Sequence, residues 1–428
     1  MRDENTPLLS NNNHIETHSN GDLLAERPNQ GSSLKAFANI VCVVAGTGTL
    51  GLPYALKLGG WIGVGILIFS LFMALYTSIL LMRCLYYNGK YRLTSYPDIG
   101  FHAFGRAGSI AVWAFYAPLI IGAPIMYLIL SGTELKNLIT GVDISARTWI
   151  WISTAIVAVP FILMKTLKEV AIMSIFGALA TVVLVIVAVR GSIVDHSNPI
   201  YSDVSHDFVI LPNLPIAIAS ISFCFSGNIV YVHVEESMRY PKSWNKVVAA
   251  ALGSCTVLYL ATAIPGYFTY GDRALSPILA NLPKDIFTNI GTIFIIAHVI
   301  LAAPILLTTF ALEVERRIGI TVRLHGEAME RVYRTLFRLF VAGFCGAIAC
   351  IVPYFGDFLS LLGALGNCTL IYVLPILCYF KLIGWRQMRW YELAWCAFIV
   401  VIGILSATIG SIDAIKALKR DFENDSGN

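Results

Sequence analysis

Residues 46–53 read GTGTLGLP and lie inside a charge-free stretch, residues 36–56, that is long enough to cross a bilayer. Four of these eight residues are glycine or proline, which do not favour a continuous helix. A broken helix in hydrocarbon leaves backbone N–H and C=O groups unpaired, and this is tolerated only where protein, water or a ligand pairs with them. The sequence therefore predicts that this break lines a cavity.

A second interruption reads FSGN at residues 225–228, within the uncharged stretch 208–232. Two interrupted hydrophobic segments in corresponding halves of a chain point to the binding site of a secondary transporter. We therefore predict a carrier for a small polar solute, with both breaks at its binding site.

The composition is that of a membrane protein, because 57% of the residues are hydrophobic and only 13% are charged. Eleven stretches free of Asp, Glu, Lys and Arg are each long enough to span a hydrocarbon core of about 30 Å. These stretches are residues 36–56, 58–82, 107–133, 148–164, 170–189, 208–232, 247–271, 286–312, 339–356, 358–380 and 393–412. The predicted fold class is an all-α membrane protein with eleven transmembrane helices.

The charge distribution predicts the orientation. With the N-terminus in the cytoplasm, the cytoplasmic segments hold 21 of the 30 Lys and Arg residues. The largest loop on the other side, residues 190–209, carries Asp195, Asp203 and Asp207 instead. We therefore expect a cytoplasmic N-terminus and a lumenal or extracellular C-terminus. The net charge of +4 then reflects topology, and nucleic-acid binding is not indicated.

Other classes of chemistry have little support in the sequence. All nine cysteines lie in or beside hydrophobic stretches, and there is no CxxC motif or Cys/His ligand cluster. No phosphate-binding loop or nucleophile–base set is present either. We expect no enzyme activity, no cofactor and no metal site.

The polar N-terminal segment, residues 1–33, has too few apolar residues to order itself and is predicted to be a disordered cytoplasmic tail. Within it, Glu4, Leu8 and Leu9 fit an acidic dileucine pattern that sorting adaptors bind. A chance pair of leucines is the alternative. The transporter domain is predicted at residues 34–420, followed by a short non-cytoplasmic tail at 421–428.

Five segments, in order, resemble the amino acid/auxin permease family, particularly its vacuolar and proton-coupled branches. Together they place the resemblance over roughly residues 35–420. The segments are GTGTLGLPYALKLGGW at 46–61, the loop 95–105, the second broken span at 226–241, the connection 266–283, and residues 353–375.

The resemblance implies a LeuT-like architecture of two inverted repeats of five helices, with helices 1 and 6 broken. The repeats would cover about residues 35–190 and 208–382, and helix eleven about 391–415. The family branch and the sorting pattern favour the vacuolar or lysosomal membrane over the plasma membrane.

The two breaks suggest how an amino acid would bind. An unwound helix exposes N–H donors that suit a carboxylate, and freed carbonyl groups at the second break could accept from an ammonium group. Tyr127 matches a tyrosine with which related carriers contact substrate. Close packing of helices is the alternative role for the glycines. The predicted substrate-binding residues are Gly46, Thr47, Gly48, Thr49, Gly51, Tyr127, Ser226, Gly227 and Asn228.

Two residues are candidates for proton coupling. His298 lies near the middle of stretch 286–312, where a group that titrates near neutral pH could carry a proton. A neutral, hydrogen-bonded histidine is the alternative. Glu235 matches a glutamate of the proton-coupled branch of the family.

A sodium site is the competing possibility. Sodium-coupled relatives tend to carry Asn where this chain has Cys42, a poor ligand for a hard cation. Asn39, Thr308 and Thr309 leave sodium open.

The function predicted from the sequence is proton-coupled secondary transport of amino acids, expected to be neutral ones, by alternating access. The expected partners are the amino acid, the coupling proton, the lipid bilayer and sorting adaptors. The alternatives are an amino-acid sensor with little transport and a sodium-coupled symporter.

Overall fold

The structure is a computed structural model, and it describes residues 24–28, 30–164, 170–320 and 322–426. Within these ranges, eleven helical spans are long and apolar enough to cross a membrane. The prediction of an all-α fold with eleven transmembrane helices is confirmed. The predicted sorting residues Glu4, Leu8 and Leu9 lie outside the described residues.

The chain forms two successive sets of five spans, and the first span of each set is broken into two helices. The first set contains α1 Ser33–Val44, α2 Leu52–Gly59, α3 Ile62–Leu85, α4 Tyr96–Leu138, α5 Ala146–Leu163 and α6 Val170–Asp195. The second set contains α7 Leu214–Phe223, α8 Asn228–Glu236, α9 Trp244–Tyr270, α10 Ile286–Ile318, α11 Val322–Ile351, α12 Phe355–Leu362 and α13 Leu374–Tyr379. α12 and α13 belong to one span, the tenth, and are joined by the π-helical turns Gly363–Asn367 and Thr369–Val373. The last span is α14, Trp390–Ser426. This is the predicted LeuT-like plan of five plus five helices with a peripheral eleventh.

Side-chain caps fix several of the ordinary helix ends. Ser145 accepts a hydrogen bond from the N–H of Thr148 at the start of α5, and Asp285 accepts one from Thr288 at the start of α10. α10 ends before Gly319, whose φ of 80° suits glycine. These ends therefore follow from local sequence.

The broken spans lie at the centre of the bundle. The most apolar parts of the spans Ser33–Gly59 and Leu211–Glu236 are 72% and 78% buried, respectively. The corresponding parts of α5, α11 and α14 are only 28–33% buried. Because hydrocarbon tolerates irregular backbone only inside protein, the breaks have to be central.

Packing between the two sets of spans surrounds these breaks. α4 packs along α10, α1 packs on α6 and α9, and α7 packs on α2 and α14. Each broken span is therefore held by helices from both halves of the chain.

Two helices extend beyond their predicted bounds. The ninth span was expected at residues 339–356, but α11 begins far earlier and ends at Ile351. It carries Arg334 and Arg338 into the bundle, where both pair with Glu315. α14 continues to Ser426, through part of the predicted C-terminal tail.

The end of the predicted disordered tail is ordered against α8. The N–H of Gly31 donates to the carbonyl of Ser237 at 2.8 Å, and the N–H of Arg239 donates to the carbonyl of Gly31 at 2.7 Å. Residues 24–28 and 30–32 thus form a strap, here called the N-terminal strap, across the end of the second broken span. Composition did not reveal this docking, because the strap is held by backbone and charge rather than by apolar burial.

Candidate functional site

The first break separates α1 from α2 and contains a short 3₁₀ turn, Thr47–Gly51. No side chain caps the start of this turn, in contrast to the starts of α5 and α10. The first N–H groups of a helical turn carry partial positive charge and need acceptors. The backbone at Thr47 and Gly48 is therefore suited to an anion such as a carboxylate.

The carbonyl groups of Val44, the last residue of α1, and of Ala45 and Gly46, which follow it, already have donors at this break. The Thr49 hydroxyl donates to the carbonyl of Ala45 at 3.1 Å, and the Thr49 N–H donates to that of Gly46 at 3.3 Å. The hydroxyl of Tyr259, from α9, lies 2.5 Å from the carbonyl oxygen of Val44. Thr49 was predicted to be part of the substrate site, but its hydroxyl and its N–H both donate to the preceding backbone.

The carbonyl groups at the second break are also paired, whereas the sequence led us to expect them free for an ammonium group. The carbonyl of Ser222 accepts from the side-chain amide of Asn367, and that of Phe223 accepts from the N–H and the hydroxyl of Ser226. The carbonyl of Cys224 accepts from the hydroxyl of Tyr259. In this conformation neighbouring side chains and backbone groups already donate to these carbonyls of the second break.

A small closed cavity lies between the two breaks. Its volume is about 20 Å³, which is space for roughly one water molecule. An amino acid therefore needs the surrounding side chains to move apart before it fits. The lining residues are Val43, Val44, Thr47, Gly48, Leu119, Ala123, Tyr127, Phe223, Ser226, Ile229 and Leu306.

Four of the predicted substrate-binding residues meet at this cavity: Thr47, Gly48, Tyr127 and Ser226. The Tyr127 hydroxyl is within hydrogen-bonding reach of the Thr47 side chain. Gly48 also has a packing role, because a Cβ there would lie 3.0 Å from the sulfur of Cys224. The first break therefore approaches the second as closely as glycine allows.

Two other predicted residues, Gly51 and Gly227, have a packing role and do not line the cavity. A Cβ on Gly51 would lie 3.0 Å from Leu359 of α12. A Cβ on Gly227 would overlap the ring of Tyr231, at 2.2 Å. Both glycines make room for neighbouring side chains, which is the packing alternative considered above.

Asn228 lies at the first position of α8 and is 2% exposed. Its amide donates to the carbonyl of Leu370 in the tenth span at 3.2 Å, while its side-chain oxygen has no hydrogen-bond partner among the described residues. Asn228 therefore ties the second broken span to the tenth span and does not line the cavity.

His298 is buried beside the first break, next to the cavity but outside its lining. The rings of His298 and Tyr127 have centroids 6.4 Å apart, and a Cβ on Gly46 would lie 3.6 Å from the His298 Nε2 atom. Gly177 of α6 lets this group form, because a Cβ there would overlap both His298 and Cys42. The Nε2 atom has no hydrogen-bond partner among the described residues.

Glu235 lies at the far end of α8 and is 1% exposed. Its carboxylate accepts from Arg92 at 2.8 Å, from Arg27 of the N-terminal strap at 3.3 Å, and from the hydroxyl of Tyr86. Burial and then the neighbouring carboxylate raise the pKa of Tyr86 well above its usual value, so this hydroxyl remains a donor. The cluster of Glu235, Arg27, Arg92 and Tyr86, here called the strap cluster, closes this face of the bundle.

The sodium candidates differ from one another. The Thr309 hydroxyl donates to the carbonyl of Ile305 at 2.9 Å, as hydroxyls in helices often do. The hydroxyl of Thr308 and the side-chain oxygen of Asn39 have no hydrogen-bond partner among the described residues. Across the described part of the chain, no group of three His, Cys, Asp or Glu residues could hold a metal ion.

The sequence did not single out a carboxyl pair on the face opposite the strap cluster. The side chains of Asp357 in α12 and Asp421 in α14 are hydrogen-bonded to each other, and Asp357 is 6% exposed. Tyr354 donates to the Asp421 carbonyl at 3.2 Å. Asp357 falls between the uncharged stretches 339–356 and 358–380, so the sequence pattern does not mark it as part of a site.

A second feature missed from the sequence is the buried pair of Arg338 and Glu315. The Arg338 Nε and a Glu315 oxygen are 2.7 Å apart, and Arg338 is fully buried. Arg338 also donates to the carbonyls of Phe161 and Met164 at the end of α5. The guanidinium group therefore supplies hydrogen-bond donors to carbonyl groups that have no partner within the helix.

The broken central spans and the closed cavity between them define a membrane carrier of the LeuT-like fold. The crystal structure of a manganese transporter from Eremococcus coleocola, in complex with an aromatic bis-isothiourea substituted compound, has this fold. It superposes with a TM-score of 0.56 and 12% sequence identity, over 93% of this chain and 91% of that chain. At this identity the likeness concerns the fold alone.

The family is established by sequence. A model of the family described as transmembrane amino acid transporter protein matches residues 29–416, and this chain belongs to that family. Two Arabidopsis thaliana relatives are amino acid transporter AVT1C, 28% identical over 91% of this chain and 70% of its own length, and amino acid transporter AVT1I, 29% identical over 92% and 96%. The predicted resemblance is confirmed.

Proposed function

We propose that this protein is a proton-coupled secondary transporter of neutral amino acids, which works by alternating access in the vacuolar or lysosomal membrane. The observation that carries the proposal is the closed cavity between two broken spans. One side of that cavity is polar and the rest is apolar. This division suits a molecule with charged ends and an uncharged side chain.

The polar side lies at the first break. The uncapped turn at Thr47 and Gly48 offers N–H donors to the substrate carboxylate. The substrate ammonium group would face the last turn of α1, where Val43 and Val44 line the cavity and the helix dipole is negative. A single break then recognises both charged ends of an amino acid.

The apolar side supports a neutral substrate. Leu119, Phe223, Ile229 and Leu306 face the cavity, and no Asp, Glu, Lys or Arg is among its lining residues. Burying an unpaired charge there would be costly, so a charged substrate side chain is disfavoured. Because the closed cavity is small, short aliphatic side chains should be preferred.

His298 supports proton coupling. It is buried, has a ring nitrogen without a hydrogen-bond partner among the described residues, and lies beside Gly46, at which the first break begins. Protonation would put a charge beside the break and so change the relative stability of the two access states. Cys42 at this same junction is a poor ligand for sodium. Glu235, the other coupling candidate, has its carboxylate bound by two arginines.

The proposed orientation places the strap cluster on the cytoplasmic face and the Asp357–Asp421 pair on the lumenal face. It rests on the excess of Lys and Arg in the predicted cytoplasmic segments. The sorting pattern at Glu4, Leu8 and Leu9 supports the vacuolar or lysosomal location. In that case the carboxyl pair faces an acidic compartment.

The test is uptake of radiolabelled amino acids by liposomes that contain the purified protein. We expect uptake of small neutral amino acids to follow an imposed pH gradient without sodium and to collapse with a protonophore. Uptake that requires sodium and ignores pH would support the sodium alternative through Asn39 and Thr308. Saturable binding without uptake would support the sensor.

A further inference from the structure

Tyr259 of α9 connects the two breaks directly. Its side chain is fully buried, and its hydroxyl lies 2.5 Å from the carbonyl oxygen of Val44 and 2.5 Å from that of Cys224. Val44 is the last residue of α1, and Cys224 follows the last residue of α7. One hydroxyl group therefore meets the carbonyl ends of both broken helices.

This junction forms part of the wall of the central cavity. Val44 lines the cavity, and so do Phe223, one residue before Cys224, and Ser226, two residues after it. Gly48 of the first break also packs against Cys224. Any change in the spacing of the two carbonyls therefore changes the shape of the cavity.

The chemistry of the group limits what it can do. A phenol has one proton to donate, whereas the two carbonyl oxygens are both acceptors. In a membrane interior, a carbonyl without a donor is costly. Two carbonyls that share one donor are thus held close together. When they separate, the hydroxyl can donate a hydrogen bond to only one of them.

We propose that Tyr259 is a positioning residue that holds the two breaks at the spacing of the closed cavity. Its hydroxyl, a neutral hydrogen-bond donor, stabilises two carbonyl oxygens that lie close together, as a bound cation could. When the cavity opens, the hydroxyl keeps its hydrogen bond to the carbonyl of one break and loses the bond to the other. This assignment rests on the proposed function, because it concerns how the substrate cavity closes.

The test is Tyr259→Phe, which keeps the ring edge-on to Phe225, at a centroid distance of 5.5 Å, and removes only the hydroxyl. The matched control is Tyr231→Phe. Tyr231 is also fully buried, packs edge-on against Trp244, and has a hydroxyl without a hydrogen-bond partner among the described residues. Both variants lose the same atom, but only one of them loses a link between the breaks.

Two readouts are used with the full-length protein. The first is the KM for uptake of a small neutral amino acid, which should rise about tenfold in Tyr259→Phe and stay within about twofold in Tyr231→Phe. The second is the rate at which N-ethylmaleimide alkylates Cys224, followed by mass spectrometry of its peptide. That rate should rise several-fold in Tyr259→Phe alone, because the junction around this thiol loosens.

A wild-type KM and wild-type Cys224 labelling in Tyr259→Phe would overturn the proposal, as would equal changes in Tyr231→Phe. Should Tyr259→Phe fail to fold, the wild-type protein still tests it: saturating amino acid should slow Cys224 alkylation, and an unchanged rate counts against it. If the wild type transports no amino acid, the proposed function fails. The labelling comparison of the two variants then still decides the role of Tyr259.

Discussion

The two breaks look alike in sequence but differ in how their backbone groups are paired. At the second break, side chains from the same span and from neighbouring spans occupy the freed carbonyls. At the first break the carbonyls of Val44, Ala45 and Gly46 are paired as well, and the 3₁₀ turn there, like α8 at the second break, starts without a side-chain cap. Thr47 and Gly48, which start the turn at the first break, line the cavity, whereas Gly227 and Asn228, at the start of α8, do not. We infer that the first break binds the substrate while the second forms a wall of the cavity.

The largest expected effect is that of Gly48→Leu, which tests the close approach of the two breaks. A Cβ at Gly48 would lie 3.0 Å from the sulfur and 3.2 Å from the Cα of Cys224. A leucine must therefore enter the cavity or push the breaks apart. We expect uptake to fall by about 100-fold or more at normal abundance in the membrane.

The matched control for this variant is Gly65→Leu in α3, where a Cβ would have no atom within 4 Å. It should transport normally. Near wild-type uptake by Gly48→Leu would show that the first break is not the binding element.

A second variant, His298→Gln, asks whether a proton acts on the first break. Glutamine keeps a polar side chain but does not titrate, so uptake should lose its response to a pH gradient. We expect pH-driven accumulation to fall about tenfold or more, while exchange of labelled for unlabelled substrate persists. His196→Gln, next to Phe268 rather than the cavity, is the control. Retained pH-driven accumulation in His298→Gln would exclude this residue as the coupling group.

Glu235→Gln tests the strap cluster, which holds the far end of the second broken span. It removes the anion between Arg27 and Arg92, whose side chains are 23% and 16% exposed. Partial exposure screens the pair, so we expect a loss of about 1–3 kcal/mol in the free energy of closing this face. Hydrogen exchange of the N-terminal strap should become faster by the corresponding factor.

The control for the strap cluster is Glu26→Gln. Glu26 pairs with Arg239 at 2.7 Å, but both side chains are more than 40% exposed. Exposed pairs contribute about 0–1 kcal/mol, so strap exchange should change little. Equal effects of the two substitutions would mean that burial of Glu235 does not matter.

The two threonines of the first break should separate substrate binding from backbone capping. Thr47 lines the cavity, whereas Thr49 caps Ala45. We expect Thr47→Val to raise KM by about threefold to tenfold with an unchanged melting temperature. Thr49→Val should keep KM and lower stability by about 1 kcal/mol. The reverse pattern would place the substrate against Thr49.

The sequence could predict the fold because the patterns that define it are local. Uninterrupted apolar stretches gave eleven spans, and the glycine-rich segment gave the first break. The expectation that a break in hydrocarbon lines a cavity pointed to Thr47, Gly48 and Ser226, which do line the cavity between the breaks. Their role in substrate binding stays a prediction.

Long-range contacts account for what the sequence could not predict. Tyr259 lies in an apolar stretch with nothing to distinguish it, and its importance depends on two carbonyls from distant segments. Arg338 and Asp357 fall outside the charge-free stretches by which the spans were predicted, because those stretches are defined to end at a charge. Each is buried through a partner that is distant in sequence, Glu315 and Asp421 respectively.

The smallest expected effect comes from an ordinary capped helix, which contrasts with the uncapped turn at the first break. Asp285 accepts from the N–H of Thr288 and pairs with Arg190. These contacts, the backbone hydrogen bond first, lower the pKa of Asp285 below its usual 3.8. Its contribution to stability is therefore present above pH 3.8 and is lost only as pH falls through the lowered pKa. Asp285→Ala should cost about 1 kcal/mol at neutral pH and the same at the pH of an acidic organelle. Melting temperatures at pH 7 and pH 5 measure this: a cost that vanishes at pH 5 would mean that the cap is already protonated there.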